Sequence, residues 1–196
     1  MIAFLWERSL SAYLPVEEAL GRALSDDSGS GQELVVAYWD RLGDYTQGEE
    51  RHWTPVDWIN HLDDPTFEWP FATDNLGVRE PVFHLSVDLH PADRDLGSAE
   101  WATIAHRLAI TAGLAPPLDD QGCQWVAFQA RPRRLDLLAN LIRLDGAWQQ
   151  LPADPLRAVM NQIRRVEHDF RLIPAHPATP PPAPPTAPPT RGPGRR

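Results

Sequence analysis

The sequence predicts an α+β domain with a mainly antiparallel sheet, helices packed on one face of it, and a disordered proline-rich tail. Two observations support the domain. Segments of strand and helix character follow a β-α-β-β-α order from residue 82 onward, and a further strand and helix precede them. The third observation concerns the tail: residues 172–196 contain ten of the 21 prolines, a composition that cannot build a core.

The N-terminal 24 residues have helical character. Val16, Ala19, Leu20 and Ala23 recur at helical spacing, and Pro15 is acceptable at the start of a helix. The sequence therefore predicts a helix here, followed by a turn-rich linker over 25–32.

A strand and a short helix are predicted next. Residues 33–39 (ELVVAYW) are rich in β-branched and aromatic side chains, which favour a strand. Thr54 suits a helix N-cap and Pro55 the first helical position, so residues 54–62 are predicted to be helical. Residues 63–81 contain scattered prolines and aromatics and are predicted to be an extended connection.

Residues 82–114 predict a strand and then a helix. The strand, 82–89, alternates between two faces, with Phe83, Leu85, Val87 and Leu89 on one of them. The helix, 98–114, has an apolar stripe that includes Trp101 and Leu108, and Gly113 suits its C-terminal end.

The remaining elements are a pair of strands and a final helix. Residues 122–128 and 135–144 have strand character, and Asp145-Gly146 is a turn signal. An amphipathic helix is predicted to start at Asp154, with Pro155 behind it. The chain is thus divided into one domain, residues 1–171, and the tail, residues 172–196.

The charge of the chain opposes non-specific binding to nucleic acid. All 18 basic residues are arginine, the net charge is −9, and residues 1–171 hold 15 of the arginines and all 27 acidic residues, a net charge of −12. Neutralising phosphates requires basic side chains, so a DNA-binding role needs a local basic cleft or a bound metal.

The cysteine count and hydropathy indicate a cytoplasmic protein. Cys123 is the single cysteine, which excludes an internal disulfide and a multi-cysteine zinc site and fits a reducing compartment. The sequence has neither an apolar run long enough for a membrane span nor a signal-peptide pattern at its start, so a membrane segment is not expected.

Several stretches of the chain resemble one known family. These are PVFHLSV, DRDLGSAEWATIAHRLAITAGLAP, DDQGCQWVAF and IRLDG within residues 81–146, together with MIAFLWERSLSAYL at the start and ELVVAYWD at 33–40. In their order and in their residues they resemble the relaxase/mobilisation nuclease family of conjugative plasmids, especially its actinobacterial members. The resemblance covers most of the domain and is strongest from Val82 to Phe170.

The resemblance implies a fold, a reaction and partners. The family has a relaxase domain whose tyrosine attacks a phosphodiester of single-stranded DNA and becomes covalently linked to the 5′-phosphate. A divalent metal such as Mg²⁺ or Mn²⁺, held by histidines, polarises that phosphate. Tyr13 stands at the position of the tyrosine, and His84 follows an aromatic residue as in the family's strand. Single-stranded DNA and mobilisation accessory proteins are the implied partners.

The chain departs from the family at its metal site. The positions of the three metal-binding histidines are occupied by Ala130, Arg134 and Asp136. An arginine cannot ligate a metal, and one aspartate does not replace three imidazoles. The sequence therefore predicts that no metal cofactor is bound and that nicking is impaired or lost.

Each candidate residue also has a structural interpretation. Tyr13 can be an ordinary partly buried tyrosine, and His84 a structural histidine. Arg131, Arg133, Arg134 and Arg143 can contact DNA phosphates or lie on a solvated hairpin. A substitute metal site formed by His84, Asp88 and Asp136 is a further alternative.

Three functional hypotheses remain open from the sequence. The first is a relaxase-like protein of conjugative transfer that has lost nicking and retains a DNA-binding or accessory role. The second is an active nickase that uses Tyr13 with an unusual metal site or none. The third is a non-catalytic protein-interaction module with no DNA role. The repeated Ala-Pro-Pro of the tail can either bind a proline-recognising groove or be passive.

Overall fold

A computed structural model of the chain describes residues 1–24, 34–115 and 122–175. The predicted linker over 25–32 lies outside the described residues, and so does the predicted tail from residue 176 onward. The predicted α+β class and the antiparallel sheet are confirmed. No helix in the described ranges is long and apolar enough to cross a membrane.

Five strands form one antiparallel sheet in the order β1-β3-β5-β4-β2. The last strand of the described residues is therefore the central one, and the first two strands are the edges. The strands are β1 (Ile2–Leu5), β2 (Val35–Tyr38), β3 (Val82–Asp88), β4 (Trp125–Phe128) and β5 (Arg134–Asn140).

Five α-helices accompany the sheet in the described part of the chain, with a short 3-10 helix at Glu49–His52. Two of the predicted helices, the one over 98–114 and the one from Asp154, are found within a few residues of their expected bounds. The helices are α1 (Tyr13–Leu20), α2 (Leu42–Thr46), α3 (Pro55–Glu68), α4 (Ser98–Thr111) and α5 (Pro155–Asp169).

The first residues form an edge strand, so the prediction of a helix throughout residues 1–24 is wrong. Ile2–Leu5 pairs with β3, from Ile2 opposite Asp88 to Leu5 opposite Leu85. The helical spacing that begins at Val16 belongs to α1 alone. A strand forms ahead of it because tertiary pairing with β3 outweighs local helical preference.

Helix α3 is longer than predicted, and part of the expected extended connection is helical. The Thr54 side chain accepts a hydrogen bond from the Asp57 backbone N–H, and the Asp57 carboxylate accepts from the Thr54 backbone N–H, which completes a capping box. The helix continues through Pro65 to Glu68. Pro65 and Thr66 in the extension are buried, and Thr66 accepts a hydrogen bond from Asn140 of β5, so packing on the sheet stabilises the longer helix.

Helices cover both faces of the sheet, so the prediction that they lie on one face is wrong. On one side the rings of Phe128 in β4 and Trp58 in α3 are 6.5 Å apart, and α1 packs beside α3. On the other side Trp125 of β4 meets His106 of α4 at 5.1 Å, and α5 packs beside α4. Strands β3, β4 and β5 are buried on both faces, which a single layer of helices cannot achieve.

The C-terminal end of the domain is tied to its first residue. The Met1 ammonium group donates to the Glu167 carboxylate, and both residues are buried. Residues beyond the predicted domain boundary at 171 continue this packing: Leu172 is buried, and the Ile173 backbone N–H donates to Asp93 at 2.7 Å. Residues 172 and 173 therefore pack against the domain.

Candidate functional site

An arginine and an aspartate two residues apart on the central strand form the core of the site. Residues 134 and 136 of β5 point to the same side of the sheet, towards α1 and α3. The Arg134 guanidinium donates to both carboxylate oxygens of Asp136, through Nε to Oδ2 at 2.9 Å and through Nη2 to Oδ1 at 2.8 Å. Asp136 is fully buried and the Arg134 side chain is 12% exposed, so this bidentate ion pair is largely shielded from water.

His84 joins the pair from the neighbouring strand. In β3 it lies two register positions from the Ser86–Asp136 pair, on the same face of the sheet, and its Nε2 is 2.9 Å from Oδ1 of Asp136. The indole of Trp6 stacks on the imidazole of His84, with ring centroids 5.3 Å apart, and donates through Nε1 to Ser86 Oγ at 3.1 Å. The Arg134 guanidinium lies over the same indole at 5.9 Å.

Helix α1 supplies a second carboxylate to the cluster. Glu18 accepts from Arg131 at 3.0 Å and from Arg134 at 3.4 Å. Arg131 reaches Glu18 across Gly21, where a Cβ atom would lie 2.9 Å from its Nε. Gly21 ends α1 with φ at +69°, a left-handed conformation that favours glycine.

Charge within the cluster is largely compensated. Burial acts to lower the pKa of Arg134, but its hydrogen bonds to Asp136 and the charges of Asp88 and Glu18 outweigh this and raise it. Burial raises the pKa of Asp88, against the opposing effect of Arg134. Two arginines, Arg131 and Arg134, and two acids, Glu18 and Asp136, thus form one ion-pair network at the end of β5.

A cavity of about 670 Å³ opens between α1 and this face of the sheet. His84 and Trp6 lie on its sheet side and Arg131 at its edge. Its acidic side chains come from the segment before α1 and from α1 itself: Glu7, Glu17 and Glu18. The cavity volume is in the range of small-molecule sites, and because Arg22 and Arg131 also line it, its rim carries charges of both signs.

Tyr13 is exposed at the first position of α1 and does not line this cavity. The charge of Glu17, then burial, and then a hydrogen bond to Glu17 raise the pKa of the Tyr13 hydroxyl. A nucleophilic tyrosine needs the opposite shift, because the ionised oxygen is the attacking species. The structure therefore brings His84, Arg134 and Asp136 together without Tyr13.

The four predicted DNA-contacting arginines do not form one patch. Arg131 and Arg133 lie in the hairpin loop between β4 and β5, as expected, whereas Arg143 lies beyond the far end of β5, roughly 20 Å from Arg134. Each pairs with a carboxylate: Arg133 with Asp95 at 3.2 Å and Arg143 with Asp145 at 3.1 Å, in addition to the pairs described above.

The residues at the family's metal positions do not fit a metal ion. The guanidinium of Arg134 occupies the side of β5 where a cation would sit, and Asp136 already accepts from Arg134 and His84. Asp88 lies opposite Arg134 in the register and near the same positive charge. Across the described ranges no group of three metal-ligating side chains converges, including the alternative of His84, Asp88 and Asp136.

Two residues of the cluster, Trp6 and Glu18, were not predicted from the sequence. Trp6 was included in a predicted helix, although the run Ile-Ala-Phe-Leu-Trp has the aromatic and branched content of a strand. Glu18 carries no local signal, because its partners lie more than a hundred residues away.

The chain matches no protein-family model, no curated protein and no solved structure.

Proposed function

We propose that this chain is a relaxase-like protein that serves the conjugative transfer of plasmid or mobile-element DNA without nicking it. The sequence resemblance from Val82 to Phe170 supports the relaxase-like part. The buried ion pair of Arg134 and Asp136 is the single observation that carries the second part. At two of the three positions where the family has metal-binding histidines, this chain has Arg134 and Asp136. The positive charge of the Arg134 guanidinium there takes the place of a metal ion.

An accessory role that keeps contact with single-stranded DNA fits the surface beside the cluster. Phe4 is exposed on β1, and its ring meets that of Trp6 edge-on at 4.8 Å, next to Arg134. Exposed aromatic rings on a sheet stack on nucleobases, a contribution that does not depend on neutralising many phosphates. This matters because Arg131, Arg133 and Arg134 near this surface are already paired with carboxylates and the domain is strongly acidic.

The experiment combines a cleavage assay with a binding titration. The full chain is mixed with single-stranded oligonucleotides in Mn²⁺ or Mg²⁺, and the products are separated on a denaturing gel. We expect no protein-linked strand. A covalent product that disappears in Tyr13→Phe would refute the proposal and establish an active nickase.

Binding is tested with two matched variants. Phe4→Ala removes the ring beside Trp6, whereas Phe71→Ala removes a phenylalanine elsewhere that is even more exposed. We expect binding to weaken in Phe4→Ala by about 1–3 kcal/mol, the contribution of one stacked base, and to be unchanged in Phe71→Ala. Equal affinity of both variants would remove the basis for DNA contact at this surface.

A protein-interaction module without a DNA role is the second candidate. The exposed apolar side chains at the end of α3 and just after it favour it: Phe67, Phe71 and Leu76 lie within ten residues, and Phe71 is 94% and Leu76 86% exposed. Clustered exposed apolar side chains often mark protein contacts. Absence of any salt-sensitive binding to single-stranded DNA would favour this candidate over the first.

A further inference from the structure

A cavity of about 640 Å³ lies between α2 and α3, away from the Arg134 cluster. Its volume is in the range of sites for small organic ligands, roughly 300–1,000 Å³. Three aromatic side chains line it: Trp39, Tyr45 and Trp53. Its charged residues are all acidic, since Asp57, Asp64 and Glu68 are among the described lining residues and no arginine is.

One face of α3 supplies the polar wall of this cavity. Asp57, His61, Asp64 and Glu68 follow at helical spacing. Asp57 is partly occupied, because its Oδ2 caps the helix through Thr54. Asp64 and Glu68 are exposed at the cavity; burial first, then the charges of Glu68 and Asp63, raise the pKa of Asp64. This wall therefore has a negative potential that a cation would relieve.

Two buried polar atoms at the cavity have no hydrogen-bond partner among the described residues. They are Oε1 of Gln124, whose side chain is 7% exposed, and Nε2 of His61. Burial lowers the pKa of His61 to about 4, so its imidazole is neutral near pH 7 and can accept a hydrogen bond. Buried acceptors without a donor are uncommon in folded proteins and call for a partner.

We propose that this cavity binds an alkylammonium group. An ammonium supplies N–H donors for Gln124 and His61 and a positive charge for Asp64 and Glu68. Its methylene groups and its charge suit the aromatic rings of Trp39 and Trp53, whose faces attract cations. An anion is disfavoured by the acidic wall, and a metal ion lacks a converging set of three ligands in the described residues.

The alkylammonium can come from a free small amine or from a lysine side chain of a partner protein. Calorimetric titration of the full chain with n-butylammonium and with a short blocked peptide that contains one lysine distinguishes the two sources. n-Butanol serves as the uncharged control ligand. We expect saturable binding of an ammonium compound and no binding of n-butanol.

The carboxylates are tested with variants at exposed positions that leave the core intact. Asp64→Asn/Glu68→Gln should weaken binding at least about tenfold, equivalent to ~1.4 kcal/mol. Glu80→Gln removes an exposed charge outside the cavity and should leave the affinity unchanged. Thermal unfolding of each variant verifies that the fold is retained.

Three results would overturn the proposal. They are failure of both ammonium compounds to bind, equal affinity for the Asp64→Asn/Glu68→Gln and Glu80→Gln variants, and displacement of bound ammonium by low concentrations of Mg²⁺. The last result would assign the cavity to a metal ion instead.

Discussion

His84 and Asp136 are hydrogen-bonded across neighbouring strands, with His84 Nε2 2.9 Å from Asp136 Oδ1. The same carboxylate accepts from Arg134, so one buried aspartate joins two strands and two basic side chains. An unpaired charge in this position would be costly, because both Asp136 and His84 are shielded from water. We therefore expect this pair to contribute to the stability of the fold independently of any activity.

Breaking the ion pair from one side should destabilise the protein strongly. We expect Asp136→Leu to lower the free energy of unfolding by about 3–5 kcal/mol, because Arg134 loses its bidentate partner and the buried His84 loses the carboxylate it is bonded to. Urea denaturation measures the loss. The double variant Arg134→Leu/Asp136→Leu should be more stable than Asp136→Leu alone, since no charge is left unpaired. A double variant that loses the sum of both single effects would contradict the coupling.

Asn140 fixes the end of β5 against α3. Its Nδ2 donates to the Leu62 carbonyl at 2.6 Å and to Thr66 Oγ1 at 2.9 Å, and its Oδ1 accepts from the Ile142 N–H at 2.8 Å. Asn140→Ala should lower the free energy of unfolding by about 2–3 kcal/mol, because a buried N–H loses its acceptor. Asn161→Ala, at an exposed site in α5, is the control and should change stability by less than about 0.5 kcal/mol. Similar losses in both variants would argue against this role of Asn140.

Gly21 combines a left-handed backbone with a close neighbour. Gly21→Ala should destabilise the protein through two effects, the conformational cost of about 1 kcal/mol and the contact of the new Cβ with Arg131. Gly77→Ala separates them, because Gly77 also has a positive φ, +78°, but nothing lies within 4 Å of a Cβ there. We expect the larger loss of thermal stability in Gly21→Ala. Equal losses would mean that Arg131 moves away freely.

His61 should make stability depend on pH. Burial lowers its pKa in the folded protein to about 4, whereas an unfolded histidine titrates near about 6.5. The contribution of the neutral imidazole is therefore fully present above about pH 6.5 and is lost towards about pH 4, at up to ~1.4 kcal/mol per pH unit.

Comparison of variants isolates this effect from the titration of carboxylates. The stability difference between the wild type and His61→Leu should shrink between about pH 7.5 and about pH 5, as measured by urea denaturation. His52→Leu, at an exposed histidine, should show no such change. A difference that stays constant for His61→Leu would mean that the imidazole titrates normally.

Local pattern predicted the elements whose neighbours in sequence determine them. Thr54 and Asp57 form the expected start of α3, and Gly113 has the positive φ expected after α4. The edge strand β1 was missed because its pairing partner, β3, lies 80 residues away in the chain. The prediction that helices cover only one face of the sheet failed for a related reason. Asp136 and Asn140 on β5 suggest a face exposed to water, but both side chains bond to other buried groups.

The candidate site was only partly predictable. Arg134, Asp136 and His84 were identified as matching family positions, and the structure brings these three together. Their pairing with Trp6 and Glu18 arises from tertiary packing that no local pattern reports. The cavity between α2 and α3 was not predicted, since His61 and Gln124 converge from segments more than sixty residues apart.

The central position of β5 constrains how the sheet can fold during synthesis of the chain. Because the last of the described strands occupies the middle of the sheet, β1 with β3 and β2 with β4 can pair only as two separate ribbons until residues 134–140 have been synthesised. Each ribbon exposes an inner edge that is competent to pair with a foreign strand. Assembly of the sheet must therefore wait for nearly the entire domain, and a chain that ends before Arg134 carries two open edges with nothing to join them.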